Sequence, residues 1–322
     1  MICPKKRMIK TIGVFSPSSG VGKELERLEF VKNKLIDKGY NVIITNSVTN
    51  DGLISNFPEI RIKEFEKLLM DKRVDVIFCS SGGEFAIEIA PLINFSLLKK
   101  YPKFIVGFSD STVVTYLTTV NADIQSITSY NFIDLSRVYN HESFENLLKI
   151  LNGENIRQKK YDLYESNRKA NTMILNAKTK YKCNRKKIEV SARIIGGTIE
   201  CLSEILGMPY NKTINFISKY KNDGFIWYFD ICEMNSNDFY RTLLRMKQSG
   251  YFSNIKAVLI GRKNKNCIEK DISYEEALNI IFNNIPIIED VDLGHNYPKL
   301  TIINGALAHI YYENNYFDMS FE

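Results

Sequence analysis

Apolar and polar positions alternate along this chain in short blocks. Thr11–Phe15 is an apolar run short enough for one buried strand, and it ends in the small-residue loop Ser16-Pro17-Ser18-Ser19-Gly20. Glu24 to Lys38 then carries Leu25, Leu28, Val31, Leu35 and Ile36 near helical spacing and stops at Gly39. A strand at Asn41–Thr45, a helix at Ile62–Met70 and a buried strand at Val74–Cys79 follow. That strand runs into Ser80-Ser81-Gly82-Gly83, with a helix predicted from Glu84 to Ile89. The next unit is Lys103–Val106, Gly107, and a helix from Ser111 to Thr119. Strand and helix alternating in this way specify a parallel sheet covered by helices. Ligands of such sheets sit beyond the carboxyl ends of the strands. The Ser16–Gly20 loop, the Gly82-Gly83 turn and Ser109 all fall there.

From Asn152 to Lys187 the periodicity fades and Lys, Arg and Asn accumulate, as in an exposed connection. Beyond it, strands are expected at Val190–Ile195, Gly224–Phe229, Ile255–Ile260, Pro286–Val291, Leu300–Ile303 and His309–Tyr312. Helices are expected at Ile199–Leu206, Asp238–Met246 and Glu275–Phe282. The expected organisation is an N-terminal domain over 1–150, a linker over 151–187 and a C-terminal domain over 188–322.

Composition narrows the function classes. The chain has 322 residues, 44% hydrophobic and 25% charged, within the ordinary globular range. No apolar run reaches the ~18 residues that a membrane span needs, and the basic N-terminus lacks a signal-peptide core. A cytoplasmic protein with no membrane partner is the expectation. The six cysteines are scattered without a Cys-x-x-Cys pair, so no metal site or disulfide framework is expected. The net charge of +6 comes with no recognition motif, so no nucleic-acid partner is expected. Gly20-Val21-Gly22-Lys23 hints at a phosphate loop, but Pro17 and Glu24 occupy positions that need Gly and Ser or Thr.

Candidate chemistry centres on Gly107-Phe108-Ser109-Asp110-Ser111, where a strand turns sharply into a helix. Such an elbow lifts a hydroxyl out of the sheet and points backbone N–H groups at its target. The alternative is a Ser that merely caps the helix. A serine hydroxyl needs a base, and the base needs an orienting group. Of the three histidines, His141 opens a polar helix and His309 sits in a late strand. His295 follows Leu293-Gly294 in a strand-end loop and is the favoured base. Asp230 and Glu233, just after the Phe229 strand end, are the candidate acids. The alternative for these is a helix cap or a partner for Arg241.

Read together, these segments resemble the LD-carboxypeptidase family of serine peptidases, which includes muropeptide carboxypeptidases and microcin C immunity peptidases. The ordered set runs from Pro17-Ser18-Ser19 and Gly82-Gly83 through Pro91–Phe95 and Gly107–Thr112. It continues with Gly196-Gly197, Leu206–Tyr210, Asp230-Ile231-Cys232-Glu233 and Asp292-Leu293-Gly294-His295. The resemblance implies a flavodoxin-like α/β N-terminal domain carrying the nucleophile, and a smaller β-rich α/β C-terminal domain carrying the His and acid. It implies a triad of Ser109, His295 and an acid at Asp230 or Glu233, with an oxyanion hole from backbone N–H groups at Asp110 and Gly83. It also implies a homodimer without cofactor or metal, acting on a small peptide-like substrate, a muropeptide or a peptidyl-nucleotide. The spacing Asp230-x-x-Glu233 leans to the immunity-peptidase branch. Asp230 departs from the family's Glu, so a non-catalytic binding relative is the alternative. Glu84, Thr198 and Tyr130-Asn131-Phe132 depart from the family pattern as well.

Overall fold

The computed structural model describes residues 1–4, 8–167 and 172–322. It divides into two compact units, one mainly Met1–Ile156 with Thr301–Gly305, the other mainly Ile174–Leu300 with Ala306–Glu322 and the stretch from Arg157.

The first unit is built on a six-stranded sheet. Its chain-order strands are β1 (Thr11–Phe15), β2 (Asn41–Ile44), β3 (Val76–Cys79), β4 (Phe104–Gly107) and β5 (Ser126–Thr128). They lie in the order β2-β1-β3-β4-β5 and pair in parallel. This is the flavodoxin-like order. Every residue of β1, β3 and β4 is buried, which accounts for their unbroken apolar runs. The helix Leu25–Asp37 buries Leu28, Val31 and Leu35, the stripe set by its spacing. Burying each such side chain contributes roughly 1.5–3 kcal/mol.

Ile302–Asn304 completes the sheet antiparallel to β5, held also by Ser129 Oγ to Thr301 Oγ1 at 3.0 Å and Asn304 Nδ2 donating to Thr128 Oγ1 at 3.1 Å. This late strand lies inside the stretch expected to form the C-terminal domain. Strand propensity cannot reveal which sheet a strand joins.

The second unit carries an eight-stranded sheet around Lys187–Thr198, which pairs in parallel with Phe225–Asp230 and antiparallel with Leu307–Glu313. Ile255–Gly261 and Ile287–Val291 extend the parallel half. Tyr316–Phe321, a strand the pattern did not single out, forms a hairpin with Leu307–Glu313. The expected linker is more structured than a bare connection. Gln158–Lys159 and Lys182–Cys183 cap the two edges of this sheet, and Leu163–Tyr164 pairs with Ala177–Lys178. The first two pair with strands far away in sequence and the third is a separate two-stranded ribbon, and two residues are too few for local periodicity to show. The predicted helix at Glu84–Ile89 is instead a tight 3-10 segment, Ala86–Leu92, with Pro91 inside it. Pro91 cannot donate the hydrogen bond a regular helix would need.

No helix among the described residues is long and apolar enough to cross a membrane. The described residues contain no cluster of three or more His, Cys, Asp or Glu suited to a metal, and their cysteines are all free thiols.

Candidate active site

In the first unit β4 ends at Gly107, Phe108 continues extended, and Ser109 turns the chain with φ +61° before the helix Thr112–Ala122. A non-glycine residue in the left-handed region costs about 1–3 kcal/mol and persists only when its surroundings enforce it. Three surroundings do so. Asn131, almost fully buried, grips the Phe108 backbone from both sides, its Oδ1 accepting from Phe108 N at 3.1 Å and its Nδ2 donating to Phe108 O at 3.2 Å. Asp110 Oδ2 accepts from Ala86 N at 2.9 Å, and Ser111 Oγ donates to Ser81 O at 3.1 Å, tying the elbow to the glycine turn. Burial pushes the Asp110 carboxyl up, opposed by its bonds from Ser18 and from the Ala86 and Phe85 N–H groups.

The glycine turn sits close to the elbow because it has no side chains there. A Cβ on Gly82 would lie 3.2 Å from Ser109 Oγ, and one on Gly83, at φ +141°, would overlap Ser18 Oγ at 2.2 Å. Ser18 Oγ accepts from Phe85 N at 2.9 Å, and Ser81 Oγ donates to Ser19 O at 2.8 Å. Beneath the loops the fully buried Arg61 donates to Pro17 O at 2.6 Å and pairs with Glu88. The three strand-end loops therefore form one hydrogen-bonded assembly around Ser109, Gly83 and Asp110.

In the second unit Phe225–Asp230 ends on a buried carboxylate. Asp230 Oδ2 lies 2.7 Å from His295 Nδ1, and Asp230 Oδ1 accepts from His295 N at 3.2 Å. Thr198 Oγ1 donates to Oδ2 at 3.2 Å. Gly294, at φ +82°, makes room: a Cβ there would sit 1.7 Å from Asp230 Oδ1. Burial raises the Asp230 carboxyl, but the charge and hydrogen bond of His295, with Lys299 and Thr198, outweigh it and leave the group below its ordinary value. For His295, burial works against protonation. The Asp230 charge and hydrogen bond, helped by the Cys232 thiol, overcome it and lift the imidazole to about 10.

Glu233 goes elsewhere. It is exposed, and its Oε1 accepts from Asn266 Nδ2 at 3.2 Å. His141 accepts from Ser143 N at 3.1 Å as a helix cap, and His309 Nδ1 meets Ser191 Oγ at 3.0 Å across two strands. Glu200 is a residue sequence reasoning passed over. Its Oε1 accepts from Cys232 N, Glu233 N and Met234 N at 3.0, 2.8 and 2.8 Å, fixing the turn that follows Asp230. A lone Glu at a helix start carries no local sign of that role. Asn131 gave one hint, standing where the resembled family carries Gly-Pro.

Comparison with known proteins adds to this geometry. Residues 12–129 match the profile of the LD-carboxypeptidase N-terminal domain, and residues 191–310 that of the LD-carboxypeptidase C-terminal domain. The microcin C7 self-immunity protein MccF of Escherichia coli is 24% identical, the match covering 94% of this chain and 91% of that protein. A probable murein peptide carboxypeptidase of Bacillus subtilis is 22% identical over 92% of this chain and 88% of its own. Among solved structures, MccF in complex with glutamyl sulfamoyl guanosine superposes with a TM-score of 0.84 at 18% identity, covering 99% of this chain and 98% of that one. The MccF-like protein from Bacillus anthracis does so with a TM-score of 0.84 at 19% identity, over 100% and 99%.

Proposed function

Because the chain belongs to the LD-carboxypeptidase family of peptidases, we propose that it is a serine amide hydrolase working through Ser109, His295 and Asp230. The observation that carries this reading is the Asp230–His295 contact at 2.7 Å in the second unit; the first unit supplies a Ser109 held at φ +61° by its surroundings. With Asp230 on Nδ1, Nε2 is the ring nitrogen assigned to the serine. Ser109 Oγ attacks the amide carbonyl carbon while Nε2 takes its proton, and Asp230 stabilises the imidazolium that forms. The developing oxyanion is bound by backbone N–H groups at Asp110 and Gly83, each donor typically worth about a hundredfold or more in rate. The imidazolium then protonates the leaving amine, and water, deprotonated by His295, releases the acyl group from Ser109.

Asp230 is one methylene shorter than the glutamate of the resembled family, the ground for a non-catalytic alternative. Its double contact with His295 supports the enzyme. MccF has been solved with aminoacyl sulfamoyl nucleosides, and a murein peptide carboxypeptidase is a relative of similar identity. The substrate is therefore a small amide of peptidyl-nucleotide or muropeptide type. Purified protein assayed on both, with Ser109→Ala beside it, tests this. Loss of cleavage in the variant is expected, and equal cleavage overturns the assignment.

A further inference from the structure

His295 stands on the loop that follows the strand Ile287–Val291. Asp230 holds that loop at His295 itself. The loop is also gripped by the stretch 157–187, which the sequence pattern presents as a bare connection. Three residues of that stretch reach it. Tyr161 OH donates to Lys299 O at 3.3 Å, Glu165 N donates to Tyr297 O at 2.8 Å, and Tyr181 OH meets Asp292.

Asp292 precedes His295 by three residues and is fully buried. Tyr181 OH donates to its Oδ2 at 2.6 Å and accepts from its backbone N at 2.9 Å. One hydroxyl thereby locks the carboxylate against its own peptide. Tyr161 N donates to the same Oδ2 at 2.9 Å, and Arg262 Nη2 pairs with Oδ1 at 2.5 Å. On the far side of His295, Asn296 Nδ2 donates to Arg262 O at 2.9 Å. Tyr181 is anchored in turn. Its N donates to Asn315 Oδ1 at 2.9 Å, its O accepts from Tyr312 OH at 3.4 Å, and its ring meets Phe317 edge-on at 5.1 Å. A continuous line of contacts therefore runs from the hairpin of Leu307–Glu313 and Tyr316–Phe321, through Tyr181 and Asp292, to the histidine loop.

Apolar side chains of similar volume often hold a core as well as a buried ion pair does. What the hydrogen-bonded cluster adds is direction, because each bond fixes an angle as well as a distance. Only Leu293 and Gly294 separate Asp292 from His295, so movement of Asp292 is passed to the ring. A displacement of about 1 Å at a reacting group can cost on the order of a hundredfold in rate. We infer that Tyr181 is a positioning residue for His295, acting through Asp292 to hold the imidazole against Asp230. The consequence for rate rests on the amide-hydrolase reading, whereas the positioning itself does not.

The test compares the full chain with Tyr181→Phe and with a control, Tyr251→Phe. Tyr251 is an equally buried tyrosine whose hydroxyl accepts from Asn211 Nδ2 at 3.1 Å, away from the histidine loop. The first readout is an NMR titration of the His295 ring, assigned by its loss in His295→Ala; the chain has only three histidines. In Tyr181→Phe the His295 midpoint should fall from about 10 by at least about one pH unit, as the ring loses its fixed approach to Asp230, while Tyr251→Phe leaves it in place. The second readout is turnover: kcat should fall about tenfold or more in Tyr181→Phe, with KM within about twofold. A His295 midpoint equal to that of the wild type in folded Tyr181→Phe overturns the inference, whatever happens to the melting temperature. An equal fall in Tyr251→Phe overturns it too. A lowered midpoint with kcat unchanged supports the positioning and counts against the hydrolase reading, so the two failures are told apart. Should Tyr181→Phe fail to fold, Tyr161→Phe, which loses only the bond to Lys299 O, is read in the same way.

Discussion

Asp230 binds His295 twice, through ring Nδ1 at 2.7 Å and backbone N–H at 3.2 Å, so one carboxylate sets both the position of the loop and the tilt of the imidazole. The intervening glycine makes this possible, since any side chain at Gly294 would occupy the space of the carboxylate. Gly294→Ala is therefore expected to reduce kcat/KM by a hundredfold or more and to lower the melting temperature. Steady-state kinetics and a thermal melt on the same sample check it.

The pH profile follows from the same pair. The proposed mechanism needs a neutral imidazole, and Asp230 lifts His295 to about 10. In the wild-type chain kcat/KM should climb with pH towards that value. Asp230→Asn removes the charge that holds the proton, so the limb should move down towards the ordinary histidine value near 6.5, with the plateau lowered about 10²- to 10⁴-fold. A limb that stays in place in the variant would separate Asp230 from the titration.

Stability should carry the signature too. The folded histidine holds its proton more tightly than the unfolded one. Its contribution is full below about 6.5 and fades as pH rises towards about 10. The depressed Asp230 contributes above its unfolded value and loses that contribution as pH falls through the lowered one. Urea midpoints should accordingly decline between about pH 6.5 and 10 in the wild type. In Asp230→Asn this alkaline decline should shrink.

Glu233 and Asp230 separate cleanly by substitution. Glu233 reaches Asn266 and is exposed, so Glu233→Gln should change kcat/KM by less than about threefold. A loss comparable to that of Asp230→Asn would transfer the orienting role to Glu233.

Asn131 offers a test of the elbow. Asn131→Ala removes the side-chain partner of Phe108 N and of Phe108 O, a loss of about 1–3 kcal/mol for each group left unsatisfied. A drop in kcat with KM little changed is expected, and Asn131→Asp should not restore it, because a carboxylate oxygen would replace the Nδ2 that donates to Phe108 O. A change in melting temperature alone would make the residue structural.

Much of this was legible in the chain before any coordinates. The alternation that gives the first sheet is written in local periodicity, and Ser109, Asp230 and His295 each stand at or just beyond a strand end, where chemistry gathers in such folds. What stayed hidden depends on partners far away in sequence. Asn131 grips Phe108 across 23 residues, and Glu200 collects N–H groups up to 34 residues on. Residues 302–304 join a strand 176 positions earlier through Asn304 and Thr128. Polar side chains and two-residue strands have no period to betray them. The choice between Asp230 and Glu233 was open for a similar reason, because only two residues separate them in sequence and it is the approach of the loop at Gly294 that sets them apart.

The most direct measurement is labelling by a fluorophosphonate probe followed by peptide mass spectrometry. The account predicts a single adduct on Ser109, abolished in Ser109→Ala and strongly slowed in His295→Ala. An unlabelled wild-type protein that still hydrolyses the amide, or an adduct on any other residue with Ser109 untouched, would contradict it.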